Sequence, residues 1–270
     1  MELTEKERKQ RENLRRIREF RLMDDIFMSK CFEDSPVCME LVLRIIMGKP
    51  DLKVLEVRTQ KQIVNLLHRS LRMDAIATDS DGRKINVEVQ RDDRGAEKER
   101  ARFHSSMMDY EFLDKGNDFV KLPETYVIFI TENDVLREGE ALYWFERCNR
   151  KTGKPFGDGS HILYVNGSKQ DDTPLGWLMH DFFCKEPAEM HYDALADRVR
   201  HFKEEKAGVD AMCKIMEDAL KREREEAMEE VALTMLRAGK YALDEIANIS
   251  RLPLDEIQRL RESVVARDGH

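Results

Sequence analysis

The spacing of apolar residues changes several times along the chain, and each change marks an element. In the charged, basic-leaning stretch 1–20, Leu14, Ile17 and Phe20 recur at three-residue steps, which predicts a weak amphipathic helix. The expected role is a solvated leader arm, with contact to phosphate as the alternative. From Leu22 to Met47, Ile26, Phe27, Cys31 and Phe32, then Val37, Leu41, Val42, Ile45 and Ile46, follow helical spacing. Ser35-Pro36 breaks that run, so two packed helices are expected, the second starting at the proline. After Gly48-Lys-Pro50, "LKVLEVRTQKQIVNLL" alternates well enough for a strand pair or a strand with an irregular return.

The next stretch, "SLRMDAIATDSDGRKINVEVQR" (70–91), holds two alternating segments around Asp79-Ser-Asp-Gly82. If Ser80, Asp81 and Gly82 form a three-residue loop with Gly82 left-handed, Asp79 faces Arg83. On that register Asp74 faces Glu88. Alternation assigns both acids to the polar face with Gln90, and Ile85, Val87 and Val89 to the other. Two facing carboxylates repel, so they need a proton or a cation between them. Oxygen-only ligation by two or three protein groups suits Mg2+ (or Mn2+), which keeps waters and takes phosphate oxygens. Spacing alone also allows an exposed sheet face whose acids pair with Arg72, Lys84 or Arg91.

Downstream, "AEKERARFHSSMMDYEFL" puts Ala101, His104 or Ser105, Met108 and Phe112 on one helical stripe, and "ETYVIFITE" reads as a buried central strand. Two short strands are expected within 141–166, around "GKPFGDGS". That loop lacks the order of a phosphate-binding P-loop and opens no helix, so it reads as a plain hairpin loop. From Pro174 onward the pattern is helical. The ending, with Gly239, Ile246, Ala247 and Leu252-Pro253, resembles a helix-turn-helix, although its groove face would carry Asp255 and Glu256. A packing or oligomerisation module is the alternative.

Composition narrows the function. The chain has 270 residues, 41% of them hydrophobic, enough for a real core. It has no apolar run of 18 residues and no apolar centre in its charged first twenty, so a soluble, cytoplasmic, non-exported protein is expected. Five scattered cysteines without a C-x-x-C pair suggest neither disulfides nor a thiolate zinc site. His180 and Cys184 are one helical turn apart but lack a second pair, so zinc is not expected there. Net charge is −8, which argues against coating nucleic acid by bulk electrostatics but allows a local basic patch.

The stretch "RMDAIATDSDGRKINVEVQR" resembles the core of the PD-(D/E)xK nuclease superfamily, in particular the Rpn-type recombination-promoting nucleases, often labelled transposases. "RLMDDIFMSKCFEDSPVCMELVLRII" is similar to the family's D-x-x-F helix and "RARFHSSMMD" to its helix after the strands. "LPETYVIFITEND" and "GKPFGDGSHILYVNG" extend the resemblance over about 21–215. It implies Asp74 and Glu88 as metal ligands, with Gln90 where the superfamily more often has Lys. Lys would place a charge beside the attacking water, whereas Gln offers neutral hydrogen bonds. The resemblance further implies Arg102 as a cation near the phosphate and Asp25 as an additional acid, with Asp24 the better fit to D-x-x-F. His104 stands where an aromatic is expected and reads as packed.

The expected fold is therefore α/β, a restriction-endonuclease-like core of mixed β-sheet flanked by helices, with a helical C-terminal region. The expected divisions are an arm at 1–20, the core at 21–175, a helical extension at 176–224 and a helical module at 225–270. The expected activity is Mg2+-dependent DNA endonuclease in recombination or mobile-element biology. A catalytically lapsed DNA-binding or assembly protein, an RNA-directed enzyme and a defence nuclease are the rivals. DNA is the expected partner, a homodimer is allowed, and neither a membrane nor a small-molecule cofactor is expected.

Overall fold

The computed structural model describes residues 4–63 and 70–268. They fall into two compact units, residues 1–210 and 211–270.

The first unit begins with α1 (Glu5–Glu19), α2 (Asp25–Phe32) and α3 (Pro36–Met47). Pro36 opens α3, and Gly48 closes it at φ +62°, a left-handed turn that glycine adopts without cost. Six strands follow: β1 (Val54–Ile63), β2 (Leu71–Asp79), β3 (Lys84–Gln90), β4 (Thr125–Thr131), β5 (Leu142–Phe145) and β6 (Ser160–Asn166). Between β3 and β4 lies α4 (Lys98–Phe112), and α5 (Pro174–Phe183) and α6 (Asp193–Glu204) follow β6. The second half of the expected strand pair, 64–67, lies outside the described residues.

The sheet order is β1-β2-β3-β4-β6-β5. The β1–β2, β2–β3 and β5–β6 pairs are antiparallel, while β3–β4 and β4–β6 are parallel. The parallel crossover from β3 to β4 carries α4, which packs on β4 and β6 over Val127, Phe129 and Tyr164. Helices α2 and α3 pack on the first three strands, with α5 and α6 behind them. Continuous burial of β4 follows from having partners on both edges and helices on its faces.

The first helix is not a free arm. Ile17 is fully buried, Phe20 stacks on Phe27 at 5.6 Å, and Lys203 Nζ donates to the carbonyls of Arg18 (3.0 Å) and Lys185 (2.6 Å). The expectation of a solvated leader is corrected for its end, because the apolar stripe is docked.

Helix α7 (Lys206–Ala238) starts in the first unit and continues in the second, where α8 (Leu243–Ser250) and α9 (Leu254–Asp268) follow. Ala232, Ile246, Ile257 and Leu260 form a small core there, sealed by Leu233, Leu236, Leu243 and Leu252. Asp255 and Glu256 are both paired with Arg259.

Candidate active site

The turn chemistry positions everything that follows. Gly82 takes φ +82°, its N–H donates to Asp79 O at 3.1 Å, and Asp79 N–H donates to Arg83 O at 3.2 Å. The Asp79 carboxylate accepts from the N–H groups of Asp81 (3.0 Å) and Arg83 (2.9 Å), which locks the three-residue loop. The pairs Thr78–Lys84, Ala77–Ile85, Ile76–Asn86 and Ala75–Val87 then set the register, and the next step brings Asp74 level with Glu88.

At that step the regular ladder gives way to side chains. Asp74 N–H donates to Glu88 Oε1 (3.1 Å), and Val89 N–H donates to Asp74 Oδ2 (3.2 Å). Each carboxylate thus fills a backbone site on the partner strand. Both acids are buried, at 7% and 0% exposure. The acids do not lie on an open face: His104 and Arg100 of α4 stand beside Glu88, the Asp25 charge of α2 is near Asp74, and Ile85, Val87 and Val89 are buried on the opposite side.

Three further groups complete the shell of Glu88. Asn86 Nδ2 donates to Oε1 at 3.0 Å, His104 Nδ1 lies 3.5 Å from Oε1, and Arg100 Nη2 lies 3.7 Å from Oε2. His104 is fully buried, edge-on to Phe129 at 5.4 Å, and its Nε2 is 3.3 Å from Arg100 Nε. Burial, followed by the Arg100 charge, pushes its pKa down to about 3, so the ring is neutral. A neutral ring accepts at one nitrogen only, so it takes a hydrogen bond from either Asn86 or Arg100. His104 is therefore packed, as expected, and also part of the polar network.

The acids themselves are strongly perturbed. Burial is the main cause raising the Asp74 pKa, followed by the nearby charge of Asp25; for Glu88 it is burial, then the charge of Asp74. Glu88 Oε2 is buried and accepts no hydrogen bond from any described residue. A buried carboxylate oxygen without a hydrogen-bond donor, beside a second buried carboxylate, is an arrangement that a bound cation would fit. The donor set is oxygen throughout, which fits a hard divalent ion.

Asp25 reaches this site from α2. Arg91, just after β3, donates to Asp24 Oδ1 at 2.7 Å, tethering the start of α2 to the end of the strand. One turn beyond Asp25, Ser29 Oγ donates to the Asp74 carbonyl at 3.4 Å. Asp24 is spent on Arg91 and on the Arg21 N–H (2.7 Å), leaving Asp25 as the acid that faces Asp74.

Gln90 lies on the strand face of Glu88 and packs over the short 3-10 turn Asp93–Gly95, where a side chain at residue 95 would strike its amide oxygen. Arg102 is exposed and makes no side-chain bond to the acids; the guanidinium beside them is Arg100. Sequence reading missed Arg100, Asn86 and Ser29. Asn86 carried a usable signal, since it shares the Glu88 face two residues away.

A mixed sheet flanked by helices, with paired carboxylates on neighbouring strands, defines the restriction-endonuclease-like α/β class. A model of the PD-(D/E)XK nuclease family transposases matches residues 31–174, and the chain belongs to that family. Comparison with curated proteins and with solved structures gave no match. No helix among the described residues is long and apolar enough to cross a membrane.

Proposed function

We propose that the chain is a metal-dependent DNA endonuclease acting in recombination or mobile-element biology, with Asp74 and Glu88 as metal ligands. The observation that carries this reading is the orphaned, buried Glu88 Oε2 beside the Asp74 carboxylate. A bound Mg2+ or Mn2+ supplies Lewis-acid polarisation of the scissile phosphate and a more acidic water. Asp25 adds a further acid at the same end of the sheet. Arg100 brings positive charge to the phosphate, compensating for the neutral Gln90, whose amide orients water or phosphate by hydrogen bonds. Asn86 and His104 hold Glu88 in place.

Plasmid nicking tests the reading, with Mg2+, Mn2+ or EDTA, beside folded Asp74→Asn and Glu88→Gln variants. Cutting by the wild type alone, stopped by EDTA, is expected. A wild type that never nicks under any metal or salt condition overturns it. The alternative, a lapsed nuclease fold that binds DNA or assembles, draws on Gln90 in place of a lysine. It predicts DNA binding that survives both substitutions and is lost on removing 225–270.

A further inference from the structure

Beyond the matched segment, at the junction of α5 and α6, three potential ligands converge. His180 and Asp181 close α5, and His191 comes from the loop before α6. One ligand atom from each lies within 4.8 Å of the others. Asp181 is fully buried and fixed: Oδ1 accepts from the His191 N–H (2.7 Å) and Oδ2 from the Tyr192 N–H (2.9 Å). Each oxygen keeps a second lone pair. His180 Nδ1 lies 3.2 Å from Asp181 Oδ1, close to the separation that two ligand atoms of one tetrahedral ion keep. His191 is held between Trp177, stacked at 5.6 Å, and His180, edge-on at 4.7 Å.

Pinning the loop needs only the carboxylate and the two backbone N–H groups. It does not need two imidazoles gathered at the mouth of the same carboxylate. We propose that His180, Asp181 and His191 bind a borderline divalent ion such as Zn2+ or Ni2+, clamping α5 to the start of α6. Imidazole with one carboxylate selects these ions over Mg2+, which prefers oxygen alone. Tetrahedral ligation needs ligand atoms about 3.3 Å apart, a closure that rotation of the two accessible histidines supplies. The fourth position opens to solvent and takes water. Cys184, one turn beyond His180, is not a ligand: its thiol donates to Glu186 O at 3.2 Å, and burial raises its pKa.

Titration calorimetry with ZnCl2 on the untagged, chelator-stripped full chain tests this. One equivalent should bind to the Asp74→Asn/Glu88→Gln protein, whose other candidate cation site is removed, and wild type should show the same binding event. Binding should weaken at least about tenfold in His180→Gln/His191→Gln, and millimolar Mg2+ should not compete. Zn2+ should raise the thermal midpoint of wild type but not of the histidine variant. Absent binding, binding untouched by the histidine changes, or binding lost only with the two acids overturns the proposal. Because the acid variant carries the nicking test separately, failure of one reading leaves the other standing.

Discussion

At Glu88 the two carboxylate oxygens have different fates, and the difference organises the residue-scale chemistry. Oε1 accepts from Asp74 N–H and Asn86, whereas Oε2 has only the guanidinium of Arg100 at 3.7 Å. Arg100→Ala should lower nicking by about 100-fold, the usual effect of losing one donor to developing charge, while Arg102→Ala should leave it unchanged. Equal rates for the two variants would remove Arg100 from the site. The raised carboxyl pKa values also fix a sign. Between the ordinary carboxylate range and neutrality, the folded, metal-free chain holds protons that the unfolded chain has released. Stability from this pair is complete below the ordinary carboxylate range and is lost as pH rises through neutrality. Thermal melts in EDTA should therefore fall from pH 5.5 to pH 8, and the Asp74→Asn/Glu88→Gln protein should fall less. A variant with the same slope as wild type would refute the buried-acid account.

At the scale of elements, the sequence revealed what local rules govern. The Ser80–Gly82 loop and the facing of Asp74 and Glu88 were legible, because turn chemistry and strand alternation are short-range. The burial of those acids was not, since it depends on α2 and on α4 arriving from the next crossover. Arg100 and Arg102 illustrate why: two residues on a helix are about 200° apart, so they lie on opposite sides, and resemblance alone pointed to the outer one. His191 was invisible for a different reason, lying in an irregular loop where no period applies. The 3-10 turn after β3 offers a test of support. A Cβ at Gly95 would sit 1.8 Å from Gln90 Oε1, and the flexible amide can swing away at small cost. Gly95→Ala should thus shift the melting temperature little while reducing nicking about tenfold, an effect of lost positioning. Unchanged nicking would mean that the placement of Gln90 is immaterial.

For the whole molecule, a net charge of −8 means that DNA, the substrate of the proposed reading, would have to be met by local cations. On the proposed reading, the paired acids would also couple metal binding to the stability of the fold. Millimolar Mg2+ should raise the wild-type melting temperature at pH 8 and leave the Asp74→Asn/Glu88→Gln protein unmoved; an equal rise in both would place the ion elsewhere. A molecule-wide constraint follows from the turn at Ser80–Gly82, whose length sets the phase between β2 and everything after it. One inserted residue would reverse which side of β3 each side chain takes, sending Glu88 to the apolar layer and Val87 to the acids. The segment between Phe145 and Ser160, by contrast, is an exposed connection free to vary in length. In a gene carrying random one-codon insertions, the first place should be barren of soluble protein and the second rich in it. Drift in length among descendants of this chain is expected at the second place and forbidden at the first.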